Sequence, residues 1–379
     1  MHKNVVIAGY ARSPFHFANK GDLVKVRPDE MAAQVVRGLL GKTGVDPQDI
    51  EDLIVGCAFP EGEQGLNVAR LIGFLADLPI SVAGTTVNRF CGSSMQSIHM
   101  AAGNIQMDAG EAFICAGIES MSRVPMAGFN PLLHPGLAER FPQAYISMGE
   151  TAENVAQKHQ IPRGRQEEFA VSSHVKAAAA QAAGKLSEEM VPIQANGSTV
   201  EADGCIRPDT SAEALAELKP AFSTDGSVTA GTASPLTDGA SAVLVTSEDY
   251  AKAHGLQPLA RLRSIAVAGC DPEVMGIGPV AASRKALERA GVGVGDLDII
   301  ELNEAFASQA LACADELGLD LEKTNIDGGA IALGHPLGAT GARITGKAAQ
   351  LLKREGKQLA LSTQCIGGGQ GIATVLEAA

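Results

Sequence analysis

Two stretches of this chain of 379 residues repeat one another, and such a repeat restricts the fold to two similar halves. Residues 38–51 align without a gap with residues 285–298, so that Gly44 and Gly291 occupy the same position. In both copies we expect an amphipathic helix to end at that glycine, because glycine is preferred just after a helix C-terminus. An acidic turn and a short buried strand are then predicted in each copy.

The similarity continues into two strand–turn–helix units. Residues 85–90 lead through Cys91 into a helix, and residues 324–328 lead through His335 into another. Two such halves should pack around a pseudo-twofold axis, with helices shared between two mixed sheets. Cys91 and His335 are then expected at equivalent positions, where loops of the two halves converge. The strands predicted elsewhere cover residues 4–8, 53–57, 112–116, 240–246, 299–303 and 359–363.

A long segment interrupts the first half of the duplication. Residues 119–238 are rich in Met, Pro and Gly at first, and helices are predicted near 151–159 and 166–183. An insertion of this length is more often a lid or a binding subdomain than a linker. The predicted organisation is an N-terminal half of residues 1–118 and 239–256, a loop-rich insertion of 119–238, and a C-terminal half of 257–379.

Charge and composition argue against several classes of protein. The net charge is −13 at pH 7 and Trp is absent, which disfavours a nucleic-acid groove. The longest apolar runs are strand-like, so no membrane span is expected. The 7 Cys form neither a C-x-x-C pair nor a zinc-ligand pattern, and free thiols fit a reducing compartment. Since the chain enters a strand almost directly after Met1, we expect no targeting segment and a cytoplasmic location.

Cys91, His335 and Cys365 each lie in a glycine-rich turn, where the backbone can bend sharply and approach a substrate. Cys91 is predicted at a helix N-terminus, which lowers the pKa of a thiol. His335 could pair with such a thiol or donate to a developing oxyanion. Cys365 precedes a run of three glycines whose N–H groups could face a substrate carbonyl, and a second thiol is best explained as a proton carrier.

Each of these residues also has a non-catalytic interpretation. Cys91 and Cys365 could be buried structural thiols, and His335 could cap a turn. Asn303, after a buried strand, is explained equally well as an N-cap and as a site residue. The cysteines without a glycine-rich context are interpreted as structural: Cys57, Cys115, Cys205, Cys270 and Cys313.

Four sequence blocks resemble the signature blocks of the thiolase family, in the same order. They cover residues 87–94, 303–306, 328–338 and 365–369. Residues 148–155 and 231–239 resemble two further blocks that line the coenzyme A site. The resemblance spans essentially the whole chain. It implies a duplicated, layered α-β-α-β-α fold of the α/β class, with two mixed sheets and an inserted loop domain.

The resemblance also implies a reversible acyl transfer that needs neither a metal nor a redox cofactor, with coenzyme A as a substrate. Cys91 would be the nucleophile, assisted by His335, and Cys365 would carry the proton. His335 and a water held by Asn303 would stabilise an enolate oxygen. The N–H groups of Cys91 and Gly367 would form a second oxyanion hole.

Residues that contact the substrate or coenzyme A are implied in the same way. Arg207 corresponds to a basic residue near the adenosine moiety, although an exposed arginine without a ligand explains it equally well. Phe306 could close the apolar side of a channel for pantetheine. The implied set is Met148, Arg207, Phe222, Ala233, Ser234 and Phe306.

Two positions favour one branch of the family. Ser147 stands where biosynthetic short-chain thiolases typically carry His, and Gln370 stands where they usually carry Met. Both indicate cleavage of 3-ketoacyl-CoA in fatty-acid β-oxidation. The alternatives are an acetoacetyl-CoA thiolase in short-chain condensation and, more remotely, a decarboxylative condensing enzyme or a non-catalytic thiolase-like lipid carrier. A homodimer or homotetramer is implied. A β-oxidation multienzyme partner, the acyl chain length and the direction in the cell stay open.

Overall fold

The computed structural model describes residues 3–379. The strands are β1 Val5–Arg12, β2 His16–Phe17, β3 Asp52–Gly56, β4 Ala83–Val87, β5 Ala112–Ser120, β6 Ile193–Ala195, β7 Ser198–Val200, β8 Thr237–Ser247, β9 Ala260–Gly269, β10 Ile299–Leu302, β11 Leu359–Ile366 and β12 Gln370–Glu377. The α-helices are α1 Pro28–Thr43, α2 Val68–Leu75, α3 Ser93–Gln106, α4 Pro135–Arg140, α5 Met148–Lys158, α6 Arg163–Ala182, α7 Ala212–Ala216, α8 Glu248–Ala253, α9 Gly278–Ala290, α10 Ala307–Leu317, α11 Ala330–Leu333 and α12 Leu337–Glu355.

The sheet topology shows the duplication directly. In the first half the strand order is β4-β3-β5-β8-β1, and in the second half it is β10-β11-β12-β9. β3 pairs in parallel with β5, and β10 pairs in parallel with β11. The two mixed sheets are joined at one edge, because β1 pairs antiparallel with β9 over two residue pairs. The expected duplication is therefore confirmed, and its two sheets form one continuous ladder at this seam.

Helices fill the space between and outside the two sheets. The central core contains side chains of α3 and α12 together with residues of both sheets. A second core joins α1 and α2 to the outer face of the first sheet, and a third joins α9 and α10 to the outer face of the second. The layers therefore run α-β-α-β-α, as expected from the resemblance.

The repeated helices end as the sequence predicts. α1 is followed by Gly44 with φ of 69°, and α9 is followed by Gly291 with φ of 66°. These are left-handed conformations that glycine adopts without a Cβ penalty. The N–H of Gly44 bonds to a carbonyl of the last helical turn, which closes the helix before the next strand begins.

The strand that precedes the turn is less regular in the second half than in the first, although the sequence predicts that the two are equivalent. In the first half β4 adds five residues beside β3. At the corresponding place in the second half, Thr324 makes only an isolated bridge to Ile300. Lys176 of α6 donates to the carbonyls of Leu321 and Thr324, so the inserted segment supplies part of the bonding at this edge.

The long segment between β5 and β8 contains α4 to α7 and the β6–β7 hairpin. α5 and α6 correspond to the two helices predicted near residues 151–159 and 166–183. The exact domain boundaries stay a prediction. No helix within residues 3–379 is long and apolar enough to cross a membrane.

Candidate active site

Cys91 lies in a tight turn between β4 and α3, two residues before the helix begins. Phe90 has φ of 42°, an unfavourable conformation for a side chain of this size, and the Oδ1 of Asn88 accepts from its N–H at 2.9 Å. Ser93 is the first residue of α3 and does not cap the helix, since Gly92 is at the N-cap position. Its Oγ accepts from the N–H of Arg89 at 2.9 Å and donates to the carbonyl of Phe90 at 2.6 Å, which closes the turn around Cys91.

His335 lies two residues before α12, which is the position that Cys91 has before α3. Its Nδ1 lies 2.6 Å from Oγ1 of Thr340, and Thr340 in turn donates to the carbonyl of Pro336 at 3.0 Å. Thr237 of β8 accepts from the backbone N–H of His335 at 3.0 Å. The imidazole ring is therefore held by helix α12, which follows it. The loop that carries His335 is held by strand β8 of the first half of the fold.

Asn303 follows β10 and is fully buried. Its Nδ2 lies 3.3 Å from Nε2 of His335, and its backbone N–H donates to Thr363 at 3.0 Å. The interpretation as an N-cap is excluded, because α10 begins at Ala307 with Phe306 at the N-cap position. With the Asn303 amide donating to Nε2, the ring proton lies on Nδ1 and faces Thr340. Oδ1 of Asn303 has no protein partner and is free to accept from a water molecule or a substrate.

The two thiols meet across the boundary between the halves. Cys365 is fully buried near the end of β11, and its thiol interacts electrostatically with that of Cys91. The backbone N–H of Gly367, in the turn after β11, is close enough to Cys91 to favour its thiolate form against the effect of burial. The structure thus brings together Cys91, Cys365 and Gly367 as the sequence blocks suggest.

Burial decides the protonation states of this site. It raises the pKa of the Cys91 thiol to about 12, against the opposing effect of hydrogen bonds from the N–H groups of Gly367 and Cys91 itself. The expectation that the helix N-terminus lowers this pKa is wrong, because desolvation outweighs those donors. Burial, reinforced by the charge of Arg343, lowers the pKa of His335 to about 3. Near neutrality the pair is therefore a thiol and a neutral imidazole.

A cavity of about 660 Å³ opens onto these residues. Cys91, His335 and Cys365 line its inner end. The six residues implied as substrate or coenzyme A contacts also line it: Met148, Arg207, Phe222, Ala233, Ser234 and Phe306. Phe222 and Phe306 pack edge to face, with ring centroids 5.8 Å apart. A mostly apolar cavity with reactive side chains in its lining suits a long flexible arm that ends in a thioester.

Positive charge lies at the mouth of this cavity. Arg207 and Lys20 are exposed lining residues, and both cations lie over the ring of Phe17, at 5.0 and 4.5 Å from its centroid. The backbone N–H of Arg207 also donates to Nδ1 of His174 at 3.1 Å. In a chain of net charge −13, these two side chains form a local site where phosphates can bind.

Two buried carboxylates hold the loop of His335. Sequence reasoning assigned no role to either one, although Glu304 lies within the block of residues 303–306. Glu304 accepts from the N–H of Ile331 at 3.1 Å and from Ser173 Oγ at 2.6 Å, close to the start of the loop. Glu119 accepts from the N–H of Gly338 at 2.9 Å, at the end of the loop. The sequence did offer one signal for both residues. Each is a charged residue near the end of a buried strand or just after one.

Gly338 allows this close packing. A Cβ at Gly338 would lie 2.5 Å from the carbonyl oxygen of Ile118 and 2.8 Å from Cα of Cys57. Only glycine therefore lets the first turn of α12 lie against the first sheet. Sequence reasoning also missed Thr340, which holds His335, and Met275, which lines the cavity. They lie in a helix and in a 3₁₀ segment without a motif of their own.

Two further observations concern the residue types that bind metals and the remaining cysteines. Within residues 3–379 no group of three or more His, Cys, Asp or Glu side chains could hold a metal ion. The five cysteines interpreted as structural lie outside the cavity lining. All of them carry a raised pKa caused first by burial: Cys57, Cys115, Cys205, Cys270 and Cys313.

Comparisons with known proteins agree with this geometry. Residues 5–249 match the family model described as "Thiolase, N-terminal domain", and residues 256–378 match "Thiolase, C-terminal domain". The chain is 48% identical over 388 aligned residues to the 3-ketoacyl-CoA thiolase of Bacillus subtilis, with 99% of each chain covered. It is 47% identical to that of Aeromonas salmonicida, again with 99% of each covered.

Solved structures of thiolases also have the fold of this chain. The human mitochondrial 3-ketoacyl-CoA thiolase in complex with CoA superimposes with a TM-score of 0.92 at 38% identity, covering 100% of this chain and 98% of that one. The acetyl-CoA acetyltransferase of Bacillus anthracis gives a TM-score of 0.92 at 40% identity, covering 100% and 99%. With both domain models, the full-length relatives and the fold in agreement, this chain belongs to the thiolase family of acyltransferases.

Proposed function

We propose that this protein cleaves 3-ketoacyl-CoA with coenzyme A, giving acetyl-CoA and a shortened acyl-CoA, in fatty-acid β-oxidation. The observation that carries the proposal is the meeting of two thiols and one imidazole at the closed end of a mostly apolar cavity. A non-catalytic lipid carrier would not need all three groups. A decarboxylative condensing enzyme would normally have a second histidine in place of Cys365.

The first half-reaction forms an acyl-enzyme. Cys91 passes its proton to Nε2 of His335 as the sulfur attacks the 3-keto carbon. The C2–C3 bond breaks, the acyl group stays on Cys91 as a thioester, and the bonding pair moves into an acetyl-CoA enolate. Cys365 gives its proton to C2 and completes acetyl-CoA.

Asn303 and His335 stabilise the enolate oxygen in this step. Once Nε2 of His335 carries the proton of Cys91, it donates to that oxygen, while Oδ1 of Asn303 is free to hold a water. Because Thr340 already holds Nδ1, the ring need not rotate between its two roles.

The second half-reaction releases the product. The thiolate of Cys365 takes the proton of coenzyme A, whose sulfur attacks the acyl carbon on Cys91. The tetrahedral oxyanion lies against the N–H groups of Cys91 and Gly367, and its collapse expels Cys91, which recovers its proton from His335. Because one thioester replaces another, this second half-reaction is near balance, and it needs no redox cofactor.

The cavity and the relatives support a substrate range that extends beyond four carbons. Ser147 lines the cavity where biosynthetic thiolases typically carry the larger His, which leaves room for acyl chains beyond four carbons. Cleavage of acetoacetyl-CoA is kept as a second function, since a Bacillus anthracis acetyl-CoA acetyltransferase shares the fold at 40% identity.

The cellular setting is part of the same proposal. We infer a homodimer or homotetramer, because the chain matches thiolases over their whole length. We infer a cytoplasmic enzyme because its cysteines are free thiols, which suit a reducing compartment. Coenzyme A and its thioesters are its small-molecule partners. A multienzyme partner of β-oxidation is compatible with this function.

One experiment tests the assignment. Thiolysis rates are measured on 3-ketoacyl-CoA substrates from four carbons upward, and the acylated residue is mapped by mass spectrometry. We expect the acyl group on Cys91 and a kcat/KM that does not fall beyond four carbons. A strict preference for acetoacetyl-CoA would favour the second function, and acylation of another cysteine would overturn the mechanism.

A further inference from the structure

We propose that Gln364 is a positioning residue that holds the nucleophile Cys91 in register with the strand of Cys365. The inference rests on the proposed function. Gln364 lies in β11, directly before Cys365, and is fully buried. Its Nε2 donates to the backbone carbonyl of Cys91.

This bond links two parts of the chain that are 273 residues apart in sequence. The other bonds that shape the Cys91 turn are mostly local, within residues 88–93. Local bonds fix the form of the turn but cannot fix where it lies relative to β11. Ile366 of β11 packs against Gly92 in this turn, but the amide of Gln364 gives β11 a directional hydrogen bond to the nucleophile's own backbone.

A second long-range hydrogen bond also holds the Cys91 turn from the C-terminal half of the chain. Nη1 of Arg89 donates to Oε1 of Gln370, at the start of β12, at 2.9 Å. Arg89 and Cys91 flank Phe90, whose left-handed backbone makes the turn costly to hold without outside support. One side chain of β11 and one of β12 therefore form a hydrogen bond with the turn.

The duplication provides an internal comparison. Gln364 is the sixth residue of β11, and Gly117 is the sixth residue of the equivalent strand β5. A Cβ at Gly117 would lie 2.2 Å from the carbonyl oxygen of Gly338, so the helix of His335 packs directly on that strand. On the Cys91 side a long side chain fills this place and supplies a donor. Packing alone would not require an amide there.

The side-chain amide of Gln364 also has one atom without a hydrogen-bond partner in the protein. Oε1 of Gln364 has no hydrogen-bond partner, although the side chain is buried. A buried polar group with one unsatisfied atom is disfavoured over an apolar side chain of the same size unless its other atom is needed. The needed atom here is Nε2, which faces Cys91.

The expected effect concerns chemistry rather than binding. The Cys91 carbonyl fixes the peptide plane that follows the nucleophile, and with it the direction of the sulfur toward the substrate carbon and Cys365. Loss of the donor leaves the cavity intact but loosens this alignment. A misplacement of about 1 Å in a reacting group can lower a rate about 10²-fold.

The test compares wild-type enzyme with Q364M, Q364E and the control Q309M. Gln309 in α10 is also a fully buried glutamine with an unpartnered Oε1, but its Nε2 donates to Cys313. Single-turnover acylation of Cys91 by acetyl-CoA, the KM for coenzyme A and the melting temperature are measured for each. We expect Q364M to acylate about 10²-fold more slowly than Q309M, with a KM within about twofold of wild type.

Q364E gives a second readout that a purely structural role would not move. A carboxylate at this position repels the Cys91 carbonyl, whereas the protonated acid can donate to it as the amide does. The ratio of the Q364E rate to the wild-type rate should therefore rise as the pH is lowered from about 8 to about 6, where a buried glutamate takes up its proton.

The outcomes separate the two proposals. If Q364M acylates as fast as Q309M, the proposed role of Gln364 is overturned. A ratio of the Q364E rate to the wild-type rate that stays constant with pH also overturns it. This second test does not require Q364M to fold. Absence of acyl-Cys91 in the wild-type enzyme would overturn the proposed function instead.

Discussion

Nδ2 of Asn303 lies 3.3 Å from Nε2 of His335, although one residue follows strand β10 and the other precedes helix α12. The contact exists because Glu304, next to Asn303, accepts from the N–H of Ile331 and fixes the loop that leads to His335. One segment therefore both supplies the amide that contacts the imidazole and holds the loop that carries it.

Replacing Cys365 should separate acylation from turnover. In Cys365→Ser we expect Cys91 to be acylated slowly, because the nucleophile and its oxyanion donors remain. A serine hydroxyl is a far weaker acid and base than a thiol, so kcat should fall about 10²- to 10⁴-fold. Burst kinetics and steady-state thiolysis measure the two steps. The matched control is Cys270→Ser, and a Cys365→Ser turnover equal to that control would make Cys365 a structural thiol.

Thr340 should matter through the imidazole it holds. Thr340→Val removes the hydroxyl 2.6 Å from Nδ1 of His335 and leaves a buried ring N–H without a partner. We expect kcat to fall about tenfold while KM changes little, because such a loss costs about 1–3 kcal/mol. Thr340→Ser keeps the hydroxyl and should restore most of the rate. Equal kcat values for the two variants would contradict the positioning of His335 by this contact.

Arg207 should contribute to binding rather than to chemistry. Arg207→Ala removes one of two cations at the cavity mouth, remote from Cys91. We expect the KM for coenzyme A to rise severalfold with kcat nearly unchanged, since uniform binding is lost. Arg165→Ala is the control, because Arg165 pairs with Asp315 on the surface instead. A KM unchanged from that control would remove Arg207 from the site.

His99 should make the protein less stable in acid. Burial first, and then the charge of Arg89, lowers its pKa from 6.5 to about 3. Below pH 6.5 the unfolded chain binds a proton that the folded chain refuses, so stability is lost as the pH falls from about 6.5 toward 3. The loss is up to about 1.4 kcal/mol per pH unit.

The measurement is the melting temperature of His99→Gln and wild type between about pH 6.5 and 4.5. His99→Gln keeps a polar group near Thr374 Oγ1, which lies 2.8 Å from the imidazole, and should show a shallower decline. Replacement of the exposed His254 serves as the control. Parallel curves for wild type and His99→Gln would show that His99 does not contribute.

The sequence by itself determined the duplication and the residues at its two turns. Gly44 and Gly291 indicated where two helices end, because a left-handed residue after a helix is a local requirement that glycine meets. Cys91 and His335 could be placed before α3 and α12 because strand and helix periodicities are also local. Such patterns depend on neighbours in sequence, and here they were reliable.

Only the tertiary structure decided the chemistry between those residues. The protonation of Cys91 and His335 depends on desolvation by every element packed around them, and that sum inverted the expectation of a lowered thiol pKa. Thr340 and Gln364 belong to no motif, since a hydrogen bond to a side chain or carbonyl distant in sequence leaves no periodic signal. The fold brings these partners together because its two halves share one central layer of helices.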